Sequence, residues 1–275
     1  MLPTPSKEQL AVLNPAERRA YWVADYATRY LKWITVIWNH LYMRFLIWFC
    51  IGRRVEFIGL ENIRDVVDSK SRVILVANHR SFFDFFSIAY WFLKSLNVPR
   101  RMYFPVRSNF FYESAIGIFM TGLMGGWAMF PPIFRDEKKR LFNRYAIDRL
   151  IYEFRKSPGL VGFHPEGKRN KDTDPYSFLK ARGGIGKVFL EVENSMVIPL
   201  FIYGLSNSMK EELKRNWSGN RRKYPIHLMF GKPLDMQHFH NIPRNEDTSL
   251  EIAKACMDGI QALAEEHRMK YNPES

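Results

Sequence analysis

The stretch Arg72-Val73-Ile74-Leu75-Val76-Ala77-Asn78-His79-Arg80-Ser81-Phe82-Phe83-Asp84-Phe85-Phe86 decides the fold. Val73 to Ala77 is a short, β-rich apolar run, the pattern of a strand buried on both faces. It stops at Asn78 and His79. Ser81 then stands three residues before Asp84 and the apolar run from Phe85 to Trp91, a helix-start signal. The reading is strand, tight turn, helix, with His79 at the carboxyl end of the strand. Ligands collect at that place in α/β sheets. His79 and Asp84 are five residues apart, so on one helix they would face different ways. With His79 in the turn and Asp84 in the first helical turn, the carboxylate can reach back to the imidazole. A carboxylate that takes one ring N–H fixes the tautomer and leaves the other nitrogen free to accept a proton. Such a pair has no nucleophile of its own, so the nucleophile would be a substrate hydroxyl. The plainer alternative is that Asp84 caps the helix and His79 is a surface histidine.

Working outward, further strands are expected over Arg54 to Leu60, Leu160 to Phe163, Met196 to Tyr203 and Pro225 to Phe230, with a strand-like stretch at Trp127 to Phe130. Helices are expected from Asn14-Pro15, over Glu137 to Lys156, and from a capping box at Thr248-Ser249-Leu250-Glu251. Gly183-Gly184-Ile185-Gly186-Lys187 opens another helix, and a glycine-bearing helix start can hold phosphate. Strands alternating with helices predict an α/β fold, a mostly parallel sheet flanked by helices over residues 53–275. Residues 1–52 form a separate helical lobe. Phe110 to Met120, aromatic and glycine-bearing, reads as a wall for an apolar ligand or as a plain core helix.

The 275 residues carry a formal charge of +13, so an anionic partner is expected: nucleic acid, anionic lipid or a phosphorylated small molecule. Cys50 and Cys256 sit far apart in apolar patterns, which points to buried thiols and away from a disulfide framework or a zinc site. No basic-then-apolar signal arrangement opens the chain, and a cytoplasmic location is expected. Leu31 to Ile51 is long enough to cross a bilayer yet contains Lys32, Asn39, His40 and Arg44. Ile34, Trp38, Leu41, Phe45 and Trp48 share one helical face, with Lys32, Thr35 and Asn39 opposite. Tryptophans and basic residues mixed in this way favour a helix lying in a membrane interface, a monotopic arrangement.

A second polar cluster follows the strand that ends at Phe163: His164-Pro165-Glu166-Gly167-Lys168-Arg169-Asn170. Gly167 lets backbone approach a ligand, Lys168 and Arg169 add cations, and Arg135 is a third cation after a strand-like segment. Guanidinium forks suit a phosphate monoester, and a glutamate can accept from neighbouring hydroxyls.

Asn78-His79-Arg80-Ser81-Phe82-Phe83-Asp84 resembles the first motif, Asn-His-x-x-x-x-Asp, of PlsC-type glycerolipid acyltransferases, the lysophosphatidic acid acyltransferases. Phe163-His164-Pro165-Glu166-Gly167-Lys168-Arg169-Asn170 resembles their third block, Phe-Pro-Glu-Gly-Thr-Arg-Ser. Pro132-Ile133-Phe134-Arg135 and Val197-Ile198-Pro199-Leu200 are looser likenesses of the second and fourth. His164 is an insertion, and Lys168 and Asn170 replace Thr and Ser. The resemblance implies that His79, oriented by Asp84, deprotonates the free hydroxyl of a phosphorylated lysolipid, most simply 1-acylglycerol 3-phosphate. That oxygen would attack the thioester of an acyl-CoA or an acyl carrier protein. Arg135 and Arg169 would hold the acceptor phosphate, with Glu166 on its glycerol part beside Gly167; the extra cation Lys168 would strengthen phosphate binding or signal another acidic acceptor. No metal and no cofactor other than the thioester co-substrate is implied, and the amino-terminal helices would meet an anionic membrane. Glycerol 3-phosphate or another lysolipid is the alternative acceptor. A different class of reading is a non-catalytic protein that binds membrane or nucleic acid through Lys214-Arg215-Asn216-Trp217 and Arg221-Arg222-Lys223. No nucleic-acid fold signature accompanies those residues, so no nucleic-acid partner is expected.

Overall fold

The computed structural model describes residues 2–95, 98–99, 101–107, 122, 130–134 and 136–272. The expected apolar wall at 110–120, the expected strand at 127–130 apart from Phe130, and Arg135 lie outside them. In chain order the helices are α1 (Lys7–Ala11), α2 (Pro15–Tyr30), α3 (Lys32–Gly52), α4 (Glu61–Arg64), α5 (Asp84–Lys94), α6 (Arg140–Lys156), α7 (Gly184–Glu191), α8 (Met209–Trp217) and α9 (Glu246–Tyr271). The strands are β1 (Val55–Ile58), β2 (Arg72–Ala77), β3 (Met102–Tyr103), β4 (Val106–Arg107), β5 (Pro132–Ile133), β6 (Gly159–Phe163), β7 (Ser195–Tyr203) and β8 (Ile226–Phe230).

Two compact units interleave along the chain: residues 1–43 with 100–161, and residues 44–99 with 162–275. The sequence reading separates 1–52 from 53–275. By packing, the first helices group with residues 100–161, because α2 buries its inner face on α6. Tyr21 meets Phe142 edge-on at 5.2 Å, and the Asp25 carboxylate takes a 2.6 Å ion pair from the fully buried Arg149. Glu153, one turn along α6, neutralises the same guanidinium at 2.8 Å. A buried arginine is tolerable only when paired in this way. This unit also contains the parallel pairs β3–β6 and β4–β5.

The second unit holds a mixed sheet with order β1-β8-β7-β2. β1 runs parallel to β8 and β2 parallel to β7, in the register Val73↔Met196 to Ala77↔Leu200. β7 and β8 are antiparallel. The fold is therefore α/β with mostly parallel pairing, as the alternation of elements implies, and one reversed neighbour. Val73 to Ala77 have no exposed surface, which accounts for an unbroken apolar run where one-sided burial would give alternation. Each such side chain contributes about 1.5–3 kcal/mol by leaving water. α9 packs on the sheet through Ile252, Cys256 and Ile260, all fully buried.

One local reading is corrected. α9 is capped by Asn245, whose side chain accepts the Thr248 N–H, and the expected box at Thr248 lies inside the helix. Gly186 serves packing: a Cβ there would stand 2.3 Å from the Ser249 carbonyl oxygen, so α7 can press on α9 only without one.

The first turns of α3 bury polar residues, and further along it buries Met43, Ile47 and Ile51. Lys32 and Thr35 are buried at 9% and 6% exposure, whereas Trp33, Leu41 and Phe45 are 66%, 70% and 59% exposed. Its helical hydrogen bonding widens to π-type turns at Asn39–Met43 and Trp48–Gly52. It is long and apolar enough, by length and composition, to cross a bilayer.

A buried chain of hydrogen bonds ties α9 to the sheet. The Tyr176 hydroxyl bonds His267 Nδ1 at 2.9 Å, and His267 Nε2 bonds His227 Nδ1 at 2.7 Å. Burial lowers both imidazoles, His267 to about 4. Above the ordinary histidine value of about 6.5 the two states bind the same protons. Below it only the unfolded chain takes them up, so stability falls as pH drops from about 6.5 towards 4. The expected loss is on the order of 3 kcal/mol by pH 4. Melting temperature against pH, measured for wild type and His267→Phe, should show a shallower acid decline in the variant; parallel curves would refute it.

Candidate active site

Loops that follow β2, β6 and β7 meet at the carboxyl ends of these strands. The turn after β2 is built around one buried carboxylate. Asp84 Oδ2 accepts from His79 Nδ1 at 2.9 Å, from the Arg80 N–H at 2.8 Å and from the Ser81 N–H at 2.9 Å. The Ser81 contact is half of a reciprocal capping box. The other half is diverted, because Ser81 Oγ accepts the Phe83 N–H and donates to the Ser206 carbonyl at 2.6 Å. Since an ionised carboxylate can only accept, His79 Nδ1 carries a proton toward Asp84. Burial raises Asp84 to about 6, opposed first by His164 and then by the Ser81 and Arg80 N–H groups. It is thus ionised at neutral pH in spite of having almost no exposed surface.

Glu166 holds the turn from the other side. Its two oxygens accept the His79 N–H at 2.7 Å and the Leu179 N–H at 2.9 Å, and the side chain is buried. Burial pushes its carboxyl up, against the pull of those two N–H groups. Gly167 supplies a left-handed turn at φ +66° and donates its N–H to the His164 carbonyl at 2.9 Å. Lys168 is exposed. Arg169 is half-buried and spends one arm on Asn207 Oδ1 at 2.9 Å. A cleft of ≈ 620 Å³ has Arg80, Asp84, Arg169, Lys171, Asn207 and Arg215 in its wall. His79 is not part of that wall. The site thus joins His79, Asp84, Glu166, Gly167 and Arg169 in one loop cluster.

His164 lies face to face with His79, ring centroids 4.2 Å apart and planes 9° from parallel. Donor atoms of His79, Asp84 and His164 fall within 4.8 Å of one another, a spacing that would suit a metal ion. An imidazole binds a metal in its ring plane, however, and two nearly parallel stacked planes do not share one in-plane ion. The Asp84 oxygen facing them is already bonded three times. His79 Nδ1 and Asp84 engage each other, and His164 Nδ1 engages the Ala77 carbonyl.

Residues 54–203, more than half of the chain, match the family model described as Acyltransferase. The chain belongs to the acyltransferase family. No curated protein matches this acyltransferase significantly. Among solved structures it is similar to the crystal structure of the 1-acyl-sn-glycerophosphate (LPA) acyltransferase PlsC from Thermotoga maritima. The TM-score is 0.52 at 15% identity, over 96% of this chain and 98% of that one. At that identity the likeness shows a shared fold.

Several structural residues of this acyltransferase site went unread in the sequence. Asn78 binds the Ile202 backbone twice, at 2.9 Å as donor and 2.7 Å as acceptor. Asn207 accepts the Phe82 N–H at 3.0 Å and donates to the Arg80 carbonyl at 3.3 Å. Asn170 donates its N–H to the His79 carbonyl at 2.7 Å. Asn207 stands just beyond the end of β7, the kind of position that singled out His79 and Glu166, and that was the signal available. Arg80 is committed locally, donating to the Ser177 carbonyl at 3.2 Å and to the Asp172 carbonyl.

Glu166→Gln keeps the shape but replaces one accepting oxygen with an NH2 that faces a backbone N–H. The expected cost is about 1–3 kcal/mol of stability, read as a fall in melting temperature. An unchanged melting temperature would mean that neither N–H depends on the charge.

Proposed function

We propose that this acyltransferase moves a fatty acyl group from an acyl thioester to the free hydroxyl of a phosphorylated lysolipid. Its acceptor on this reading is 1-acylglycerol 3-phosphate, and its product phosphatidic acid. The observation that carries the proposal is the His79–Asp84 bond at 2.9 Å, with the carboxylate locked by two further N–H donors. His79 Nε2 takes the hydroxyl proton as the oxygen attacks the thioester carbonyl. The tetrahedral adduct then expels the thiolate, which recovers the proton from His79. Atoms and charge balance with no acyl-enzyme, no metal and no cofactor besides acyl-CoA or acyl carrier protein as co-substrate. General-base help of this kind is worth about 10²–10⁴-fold.

Arg169 in the cleft wall and the exposed Lys168 are suited to the acceptor phosphate, with Arg135 as a further cation from the second block. Glu166, with both oxygens engaged, acts on this reading by bracing the His79 turn beside Gly167. The PlsC fold likeness and the acyltransferase family match favour a glycerolipid acceptor over other alcohols.

The exposed apolar face of α3 supports a monotopic, anionic-membrane location on the cytoplasmic face. An ordinary surface helix presents polar residues opposite its buried stripe, whereas here Trp33, Leu41 and Phe45 are left outside while Met43, Ile47 and Ile51 are buried. The basic and aromatic cluster near α8 adds to that surface. Trp217 is exposed, donates Nε1–H to the Phe49 carbonyl at 2.9 Å, and has the Arg53 guanidinium 4.6 Å from its ring. Lys214, Arg222 and Lys223 are exposed around it. An aromatic ring with an apolar body and a polar edge, ringed by cations, suits a lipid interface.

Thiol release from acyl-CoA in the presence of lysophosphatidate should fall about 10²–10⁴-fold in His79→Ala. Arg169→Ala should raise the acceptor KM about tenfold or more with the donor KM unchanged, as loss of a charge-assisted bond costs about 1.5–3 kcal/mol. Equal turnover in wild type and His79→Ala would end the proposal. Purified protein should sediment with vesicles containing phosphatidylglycerol, and Leu41→Asp/Phe45→Asp should largely abolish this. Unchanged sedimentation would move the membrane surface away from α3.

A further inference from the structure

We propose that the cleft beside Asp84 seats the phosphorylated nucleotide end of the acyl donor, with Lys171 and Arg215 as the residues that recognise it. The donor is then a coenzyme A thioester. The inference rests on the acyl-transfer reaction proposed above. No acyl-enzyme forms in that reaction, so donor and acceptor must be bound at the same time. Both carry phosphate, and two anions held side by side need two sets of cations. Arg169 is assigned to the acceptor. Arg80, also in the wall, gives its guanidinium to the Ser177 and Asp172 carbonyls. Among the described residues, Lys171 and Arg215 are the other cations of the wall.

Arg215 is held in place from two directions. It stands in α8 one turn after Glu211, which pairs with one terminal nitrogen, and its guanidinium lies 4.7 Å from the centre of the Tyr224 ring. A guanidinium has five N–H donors in a fixed fork, so a pair through one arm leaves donors for phosphate oxygens. The Glu211 side chain is 44% exposed, and an exposed pair of this kind is weak enough for a phosphate to displace it. Lys171 is exposed and supplies a point charge on a flexible stem. β7 ends at Tyr203, and the chain turns at Gly204 with φ +89°, where a Cβ would stand 2.1 Å from the Pro225 carbonyl oxygen. The turn leads Leu205, Ser206 and Asn207 into the wall.

Size and composition fit a nucleotide. A volume of ≈ 620 Å³ falls within the range of about 300–1,000 Å³ usual for small-molecule sites, and a lone phosphate monoester would leave most of it empty. Pro175, Ile202 and Leu205 offer apolar surface for a base, and Asp172 offers a carboxylate for a ribose hydroxyl. A carrier protein, by contrast, is a folded body that needs about 800 Å² of open surface, which a cleft does not present. The cleft also begins close to the chemistry. Asp84 is in its wall and accepts the His79 Nδ1–H at 2.9 Å, while His79 itself is not. A coenzyme A thioester asks for that separation, because its nucleotide and its thioester are opposite ends of one long arm.

The test uses the full-length enzyme and three donors with the same acyl chain. These are the CoA thioester, the dephospho-CoA thioester, which lacks the 3′-phosphate, and the pantetheine thioester, which lacks the nucleotide. In wild type the donor KM should rise along that series by about tenfold or more per step. Lys171→Ala and Arg215→Gln should each raise the KM of the CoA thioester about tenfold or more. Both should leave the KM of the pantetheine thioester and of lysophosphatidate where they were. Adenosine 3′,5′-bisphosphate, titrated calorimetrically, should bind wild type and bind either variant about tenfold or more weakly. A merely structural role for Arg215 would instead raise the KM of all three donors alike. Should Arg215→Gln fail to fold, Lys171→Ala, which alters an exposed side chain, decides the matter by the same comparisons.

Equal KM values for the CoA and pantetheine thioesters in wild type would overturn the inference. A rise in the lysophosphatidate KM in place of the donor KM would overturn it too, and would give the cleft to the acceptor headgroup. The two proposals fail separately. Lys171-dependent binding of the bisphosphate by a protein that releases no thiol with lysophosphatidate upholds the cleft and removes the acceptor. His79-dependent turnover that is indifferent to the nucleotide upholds the reaction and removes the cleft.

Discussion

The site depends on a carboxylate that has been taken out of water. Asp84 has about 1% of its surface exposed and remains charged at neutral pH. An isolated buried carboxylate would cost several kcal/mol and would simply protonate. Three donors to one oxygen, each worth about 1.5–3 kcal/mol when charge-assisted, offset most of that. Burial still wins, as the rise to about 6 shows, but by too little to neutralise the group at pH 7. Because two of the donors are the N–H groups of Arg80 and Ser81, the turn cannot change shape without stranding the charge. The geometry of His79 is thus set by a requirement to solvate Asp84 with backbone. Glu166 repeats the device one loop away, binding the His79 N–H from the opposite side.

α3 poses the complementary problem. Lys32 and Thr35 are buried along with Met43, Ile47 and Ile51, Trp33 and Phe45 face outward, and each large exposed apolar side chain forgoes about 1.5–3 kcal/mol of burial. Lys32 shows how the inner face is satisfied: its ammonium sits 4.3 Å from the centroid of the Tyr103 ring, and burial lowers its pKa to about 8. A chain that accepts this arrangement gains back the lost burial only if something apolar covers the outer face.

What could be read from the sequence followed the physics that is local. Val73 to Ala77 announced a strand buried on both sides because burial on both sides needs no partner to be specified. The His79–Asp84 reach was legible because a strand end, a turn and a helix start fix three directions within fifteen residues. What escaped the reading was non-local. The reason for Gly186 is the backbone of Ser249 on another helix. The reversal of β8 against β7 leaves no trace in hydrophobic pattern, since a strand reads the same in either direction. Thr248 carried a valid capping signal, yet Asn245 captured the cap, because a side-chain oxygen three residues earlier took the Thr248 N–H. The insertion of His164 was visible as an oddity, but its stacking on His79 exists only once the end of β6 reaches the end of β2.

The loops around His79 differ from the cations beside them in how firmly they are held. Asn78 ties the first loop to Ile202, Ser81 and Asn207 tie it to the loop after β7, and Asn170 ties the loop after β6 to the His79 carbonyl. Every one of these bonds uses backbone on at least one side, and among them only the Phe82 tie calls on an exposed side chain, that of Asn207. Lys168 and Lys171, by contrast, are exposed side chains at the edge of the same cluster. Charge at that edge can therefore be altered without disturbing the acid–base pair. On the proposed reading, acceptor preference and bond-forming chemistry reside in different physical layers: rigid buried bonds for the second, interchangeable surface cations for the first. That separation also accounts for how a third block with Lys168 in place of Thr and Asn170 in place of Ser keeps its loop. Asn170 itself became one of the ties, donating its side-chain amide to the Ser177 carbonyl at 2.9 Å.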